Sequence, residues 1–129
     1  MEQKQNFNTP KVLRTNLAFP QAVVAGNFIF ISGTVGIDTA TGSMISSNYE
    51  EQAVQAFKNI RTILEEAGSS LEKIVKTTIF MVAGQDNDFK VINKVYSDFF
   101  PDNPPARSAP QVMPFPGGVL ISVECIALV

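Results

Sequence analysis

The segment "YEEQAVQAFKNIRTILEEAGSSLEKIVKTTIFMV", residues 49–82, contains the change of apolar periodicity that decides the fold class. In its first half the apolar residues recur at helical spacing, which predicts an amphipathic helix with one buried stripe. Ser47 with Glu50 three residues later fits a capping box, and Gly68 stands where a C-terminal cap is expected. Residues 73–82 are β-branched and aromatic, which predicts a strand. The stripe consists of Ala53, Ala56, Phe57, Ile60, Ile63, Leu64 and Ala67.

Before this segment, "QAVVAGNFIFISGT", residues 21–34, reads as two β-rich runs around Gly26-Asn27. A glycine-containing pair between two such runs is typical of a hairpin, so we expect strands at 21–25 and 28–33.

After the segment, apolar spacing predicts a second helix over 88–100, stopped by Pro101, and two more strands near 106–113 and 118–128. The order ββ-α-β-α-ββ predicts an α+β fold, a mostly antiparallel or mixed sheet with both helices on one face.

The composition indicates a single domain over residues 1–129, with residues 1–10 as a flexible N-terminal segment. Hydrophobic residues make up 45%, charged residues 17%, and the net charge is −2, which makes nucleic acid a poor default partner. The polar start "MEQKQNFNTP" does not resemble a secretory signal, and no apolar run is long enough for a membrane span. We therefore expect a cytoplasmic protein that binds neither nucleic acid nor membrane.

The chain has one cysteine, Cys125, and no histidine. An intrachain disulfide is thus impossible, and histidine-based nucleophile arrangements and most zinc sites are excluded. Carboxylates, Lys, Arg, Tyr, hydroxyls and backbone groups remain for any chemistry, and no metal site is expected.

The last strand, "VLISVECIALV" at residues 119–129, is mostly apolar on both of its faces. Two helices can cover only one face of the sheet, and soluble monomers rarely expose a large apolar patch. We expect another copy of the chain to cover the second face in a homo-oligomer.

Glu124 lies among aliphatic residues of this strand, where a carboxylate needs a cation, a proton or water. Arg107, in "NPPARSAP" at residues 103–110, lies on the preceding strand and could reach the same cleft if the two strands are antiparallel neighbours. The pair could be a structural ion pair. It could also bind and hydrolyse a small anionic acid, the arginine holding a carboxylate and the glutamate orienting water.

Three further residues carry polar or nucleophilic groups: Ser32, Cys125 and Tyr96. Ser32, at the end of "FIFISG", could offer a hydroxyl or backbone groups, although a serine before a glycine often only ends a strand. Cys125 alternates with Glu124 and Tyr96 lies on a helical stripe, so both are expected in the core.

Four stretches of the chain together resemble the Rid family, the reactive intermediate (enamine/imine) deaminases, also labelled YjgF-like or L-PSP endoribonuclease. The stretches are "AVVAGNFIFISGTVGIDTATG", "EQAVQAFKNIRTILEEAGSSLEKIVKTTIFMV", "VYSDFFPDNPPARSAPQV" and "ISVECIALV". The resemblance implies a chorismate-mutase-like fold, a homotrimer around a central barrel, and ligand sites in the clefts between subunits.

The resemblance also implies the hydrolysis of 2-iminoacids to 2-ketoacids and ammonia without a cofactor. Arg107 would hold the substrate carboxylate, Glu124 would assist the attack of water, and Ser32, Gly33 and Phe19 would line the pocket. Phe19 replaces the usual tyrosine of these deaminases, and Ala109 replaces a common cysteine. The alternatives are a trimeric protein that only binds small carboxylates or regulates a partner, and a ribonuclease or translation inhibitor, which the acidic composition disfavours.

Overall fold

A seven-stranded sheet forms the centre of the protein in the computed structural model, which describes residues 3–13 and 18–129. The strands are β1 (Gln5–Phe7), β2 (Ala22–Ala25), β3 (Phe28–Thr34), β4 (Ile74–Val82), β5 (Ala106–Ser108), β6 (Gln111–Val112) and β7 (Ile121–Leu128). They lie in the order β1-β2-β3-β7-β4-β5, and β6 pairs with β4 beyond the end of β5. Strands β5 and β6 run parallel to β4 and the other pairs are antiparallel, so the predicted mixed sheet is confirmed.

Two helices, α1 (Tyr49–Glu66) and α2 (Lys90–Phe99), pack on one face of this sheet. The apolar stripe predicted for α1 is buried, and Phe57 at its centre is fully inaccessible to solvent. The Phe57 ring meets Tyr96, Phe99 and Phe100 with centroids 5.3–6.1 Å apart. Replacing such a buried ring by alanine lowers the free energy of unfolding by about 3–5 kcal/mol. The aromatic cluster around Phe57 therefore contributes strongly to the packing of α1 against α2.

The C-terminal cap of α1 is the predicted one, whereas its N-terminal cap is a different residue from the predicted one. Gly68 has φ +85°, and the Ser69 amide donates to the Leu64 carbonyl at 2.8 Å, as expected of a glycine cap. The N-terminal cap is Asn48 rather than Ser47, because the Asn48 Oδ1 atom accepts the Glu51 amide at 2.9 Å.

Helix α2 begins two residues later than predicted because a buried aspartate sets its start. The Asp86 carboxylate accepts the amides of Val91 at 3.2 Å and Ile92 at 2.8 Å, and the Tyr49 hydroxyl at 3.1 Å. Phe89 precedes the helix in the left-handed region, with φ 61°. Asp86 therefore fixes α2 to α1 and satisfies backbone donors that would otherwise be buried without partners.

Three strand predictions need correction. Residues 5–7, expected in a flexible segment, form β1 beside β2. The strand expected over 106–113 is divided into β5 and β6, because Pro110 lies between them and has no amide to donate. The last strand begins at Ile121, not at 118, since Pro116–Gly118 form a short 3₁₀ turn.

The face of the sheet away from the helices carries large apolar side chains in solvent. Phe28, Phe30 and Leu128 are each 41–43% exposed there. Phe28 lies directly opposite Leu128 across β3 and β7, so these side chains form a continuous patch. No helix within the described ranges combines the length and apolarity needed to cross a membrane.

Candidate functional site

A β-bulge places Glu124 beside Ser32 and Gly33. The ladder between β3 and β7 shifts register between Ile31 and Thr34, so that Ser32 and Gly33 together face the single residue Glu124. A bulge of this kind twists a strand and redirects its side chains, and bulges are common beside active sites. The Glu124 side chain is exposed to solvent. The structure thus brings three of the five candidate residues to one point of the sheet.

Ser32 is fixed by three hydrogen bonds. Its hydroxyl donates to the Pro20 carbonyl at 2.7 Å, and its amide donates to the Gln21 carbonyl at 2.9 Å. Its carbonyl accepts the Thr34 hydroxyl at 2.8 Å. Because the hydroxyl proton is already used, Ser32 can present only hydroxyl lone pairs to a ligand.

Gly33 is at a position where a side chain would collide. A Cβ atom there would lie 2.9 Å from the Ser122 hydroxyl oxygen, closer than a carbon and an oxygen normally approach. Glycine therefore permits the close contact of β3 and β7 next to Glu124.

A pocket of about 70 Å³ adjoins the bulge and contains Phe19 in its wall. Phe19 is 46% exposed, and Ser32 and Gly33 also line the pocket. Asn59 and Ile63 of α1 line it as well. The lining is mainly apolar, so the pocket suits a hydrocarbon group next to the polar bulge.

The N-terminal segment supplies another wall of this pocket. The buried Gln21 amide nitrogen donates to the carbonyls of Thr9 at 3.2 Å and Val12 at 2.7 Å, and the Gln21 amide oxygen accepts the Thr9 amide at 2.7 Å. These bonds hold Val12, which is buried, against the pocket.

Arg107 lies away from the bulge, on β5 at the opposite edge of β4. Its guanidinium carbon is 5.0 Å from the centre of the Tyr96 ring, and its Nη2 atom donates to the Asn93 Oδ1 atom at 2.8 Å. Both partners belong to α2, so the side chain is directed to the helix-covered face.

The strand order corrects the expected neighbourhood of Arg107 and Glu124. Strand β5 pairs with β4 and not with β7, so the arginine is not on a strand adjacent to the glutamate. Arg107 pairs with Thr77, whereas Glu124 pairs with Thr78, and successive residues of a strand point to opposite faces. The two side chains therefore do not meet in one cleft of a single protomer.

Cys125 and Tyr96 are core residues, as expected. Burial raises the pKa of the Cys125 thiol to about 12, and the charge of Glu124 adds to this effect. Burial likewise raises the pKa of the Tyr96 hydroxyl, which shares a 2.8 Å hydrogen bond with the Thr77 hydroxyl. Neither group is suited to act as a nucleophile or base near neutral pH.

The sequence reasoning missed two residues that hold candidate groups in place, Asn93 and Gln21. Asn93 is three residues before Tyr96, which puts both on one face of a helix, so its position in α2 was a usable signal. Gln21 gave no such signal, since its partners lie 9 and 12 residues away in an irregular segment.

The mixed sheet with both helices on one face makes this an α+β protein, which is the fold class expected from the sequence. The chain belongs to the endoribonuclease L-PSP family, the Rid family, whose model matches residues 9–129.

Curated relatives cover most of the chain. A RutC family protein of Pyrococcus abyssi is 44% identical over 125 residues, which are 96% of this chain and 96% of the relative. A 2-iminobutanoate/2-iminopropanoate deaminase of Homo sapiens is 39% identical over 110 residues, which are 85% of this chain and 79% of the relative. The chain is thus similar to proteins named as imine deaminases.

Among solved structures, that of E. coli TdcF with bound serine has a TM-score of 0.87 and 30% sequence identity, and the match covers 97% of this chain and 98% of that one. The fold is therefore one in which a related protein holds a small amino acid.

Proposed function

We propose that this protein hydrolyses 2-iminoacids to 2-ketoacids and ammonia in the cytosol without a cofactor. The observation that carries the proposal is the exposed Glu124 carboxylate opposite the Ser32–Gly33 bulge, next to the pocket that contains Phe19. The deaminase named among the relatives supports the same reaction.

In the proposed reaction Glu124 acts as a general base. Its carboxylate accepts a proton from water while the water oxygen attacks the imine carbon, and the imine nitrogen takes up a proton. The resulting carbinolamine loses ammonia as its hydroxyl proton departs, which leaves the ketoacid. Arg107 binds the substrate carboxylate through its planar guanidinium and thereby orients the imine carbon toward the water.

We propose that three copies assemble and that each ligand site lies between two of them. Two features of the protomer support this arrangement. The Phe28, Phe30 and Leu128 patch needs a cover. Arg107 and Glu124 point to opposite faces, so Arg107 of one copy would serve the bulge of the next.

The reaction is tested with 2-aminoacrylate and 2-iminobutyrate generated in situ from serine and threonine by a dehydratase. We expect the wild type to accelerate ketoacid formation and both Arg107→Ala and Glu124→Gln to lose this effect while keeping the oligomer. An Arg107→Ala variant as fast as the wild type would overturn the proposal.

The shared site is tested by mixing the two inactive variants. After unfolding and reassembly of equal amounts, a site built from two copies regains about a quarter of the wild-type activity by random pairing. A site built within one copy regains none.

A second candidate is a binding protein without turnover. Phe19 offers no hydroxyl, and Ala109 packs partly buried against the core, so two polar groups common in the deaminases are replaced. Carboxylate binding by calorimetry without any acceleration of hydrolysis would favour this candidate. A ribonuclease is disfavoured by the net charge of −2. It would require RNA cleavage by the pure protein that is lost in Arg107→Ala.

A further inference from the structure

We infer that Asn93 is a positioning residue for the ligand-binding arginine, because it holds the Arg107 guanidinium in one orientation. The inference rests on the proposed function, in which Arg107 binds the substrate carboxylate. Asn93 does not touch the substrate in this arrangement and acts only through Arg107.

The geometry at Arg107 consists of one hydrogen bond and one ring contact. The Nη2 atom donates to the Asn93 Oδ1 atom at 2.8 Å, and the guanidinium carbon lies 5.0 Å from the Tyr96 ring centre. An arginine side chain has many rotamers, and fixing them before the ligand arrives reduces the entropy lost on binding.

The neutral character of Asn93 is central to this role. Within residues 3–13 and 18–129 there are three ion pairs, and Arg107 takes part in none of them. An amide oxygen occupies one N–H donor of the guanidinium and leaves the positive charge and the remaining donors to an incoming anion. A carboxylate in place of the amide would form a bidentate ion pair with the Arg107 guanidinium and would compete with the ligand for it.

The surroundings of Asn93 make its position well defined. The Tyr96 hydroxyl bonds to the Thr77 hydroxyl at 2.8 Å and donates to the Pro105 carbonyl at 3.2 Å. One tyrosine thus connects α2 to β4 and to the backbone two residues before Arg107. The buried Asp86 carboxylate holds the start of α2 in place. Both the helix that carries Asn93 and the strand that carries Arg107 are therefore fixed.

The test compares Asn93→Ala and Asn93→Asp with the wild type in serine or 2-ketobutyrate binding and in iminoacid turnover. We expect Asn93→Ala to raise Kd and KM about five- to tenfold with kcat changed less than about twofold, since only ligand positioning is weakened. Asn93→Asp should raise both constants further, because its carboxylate pairs with Arg107. Ser97→Ala, at an exposed position of the same helix, is the matched control and should match the wild type.

A double-mutant cycle separates this role from a general effect on folding. In the Arg107→Ala background, where turnover is lost, Asn93→Ala should have no further effect on the Kd for serine or 2-ketobutyrate. Additive effects of the two substitutions, or an Asn93→Ala variant equal to the wild type while Arg107→Ala loses binding, would overturn the inference and leave the proposed function intact.

A readout that needs no activity is the ¹H–¹⁵N signal of the Arg107 side chain. Slow rotation of the guanidinium should give resolved Nη signals in the wild type and in Ser97→Ala. In Asn93→Ala, faster rotation should average these signals into one. A freely rotating guanidinium in the wild type would overturn the inference. A wild type with a resolved signal but neither turnover nor carboxylate binding would instead overturn the proposed function.

Discussion

The side chains of Arg107 and Glu124 lie on opposite faces of the same sheet, although only β4 separates their strands. An internal ion pair would have neutralised both groups and reduced the charge available to a ligand. Their separation instead leaves the glutamate exposed at the bulge and the arginine supported by neutral partners.

The exposed apolar patch predicts self-association. Phe30→Glu places a charge in the centre of this patch, so we expect the oligomer to dissociate to monomers at micromolar concentration in analytical ultracentrifugation. Met113→Glu is the control, because Met113 is 82% exposed and does not lie on a strand. A Phe30→Glu protein with the wild-type mass in solution would contradict the proposed interface.

The close contact at the bulge predicts a specific rescue. Gly33→Ala should destabilise the protein by about 1–2 kcal/mol, because the new methyl group meets the Ser122 hydroxyl oxygen. Ser122→Ala removes that oxygen and should restore most of the stability in the double variant. Urea unfolding at one fixed protein concentration measures both effects. A loss that is the same with and without the Ser122 hydroxyl would show that another contact is responsible.

The Phe19 ring in the pocket wall predicts a gain of function. Phe19→Tyr adds a hydroxyl at the mouth of the pocket, and one new hydrogen bond to the ligand is worth about 1 kcal/mol, or about fivefold in kcat/KM. Stability should change by less than about 0.5 kcal/mol, since the ring is half-exposed. Phe19→Leu, which adds no polar group, should give no increase. An equal rise in both variants would exclude hydrogen bonding as the cause.

Burial of the Cys125 thiol predicts a loss of stability in alkali. Its pKa is raised to about 12 in the folded protein, whereas the unfolded chain titrates near the ordinary value of 9.0. Above pH 9 the unfolded state releases the thiol proton and the folded state retains it, so stability falls as the pH rises toward 12. At pH 10.5 the loss should reach about 2 kcal/mol relative to pH 8.

Cys125→Ala is the variant that checks this assignment. We expect it to be about 1 kcal/mol less stable near neutral pH and to lose less stability between pH 8 and pH 10.5 than the wild type. Urea unfolding across this range gives the comparison. Parallel pH profiles would assign the alkaline loss to other groups, such as Tyr49, whose pKa is also raised by burial.

The presence of both helices and of every strand except β1 and the separate β6 follows from local sequence patterns and was predictable. The residues at which these elements end, and the strands that pair with each other, were less predictable. The stripe and glycine cap of α1 depend on residues close in the chain, and both are confirmed. The start of α2 depends on the buried Asp86 carboxylate, and the break between β5 and β6 on Pro110. Neither effect changes the apolar period, so periodicity alone extended both elements too far.

In the candidate site, too, features set within one strand were predictable, whereas features set by pairing between distant strands were not. Alternation along β7 correctly separated Cys125 from Glu124, since it needs only the strand itself. The relation of Arg107 to Glu124 depends on which strand lies between theirs, and that order is set by pairing over long distances in the chain. The bulge opposite Glu124 is equally invisible in the sequence, because a register shift has no compositional signature at Ser32.

The hydrogen bonds of Gln21 have a practical consequence for anyone who prepares this protein. Val12 lines the pocket and is held there by the bond from Gln21 to its carbonyl, although the polar beginning of the chain looks dispensable. An N-terminal truncation that ends after Val12 would remove this part of the pocket wall together with the edge strand β1, whereas β2 to β7 and both helices would remain. A purified sample could then be well folded by every spectroscopic criterion and still show the wrong substrate preference.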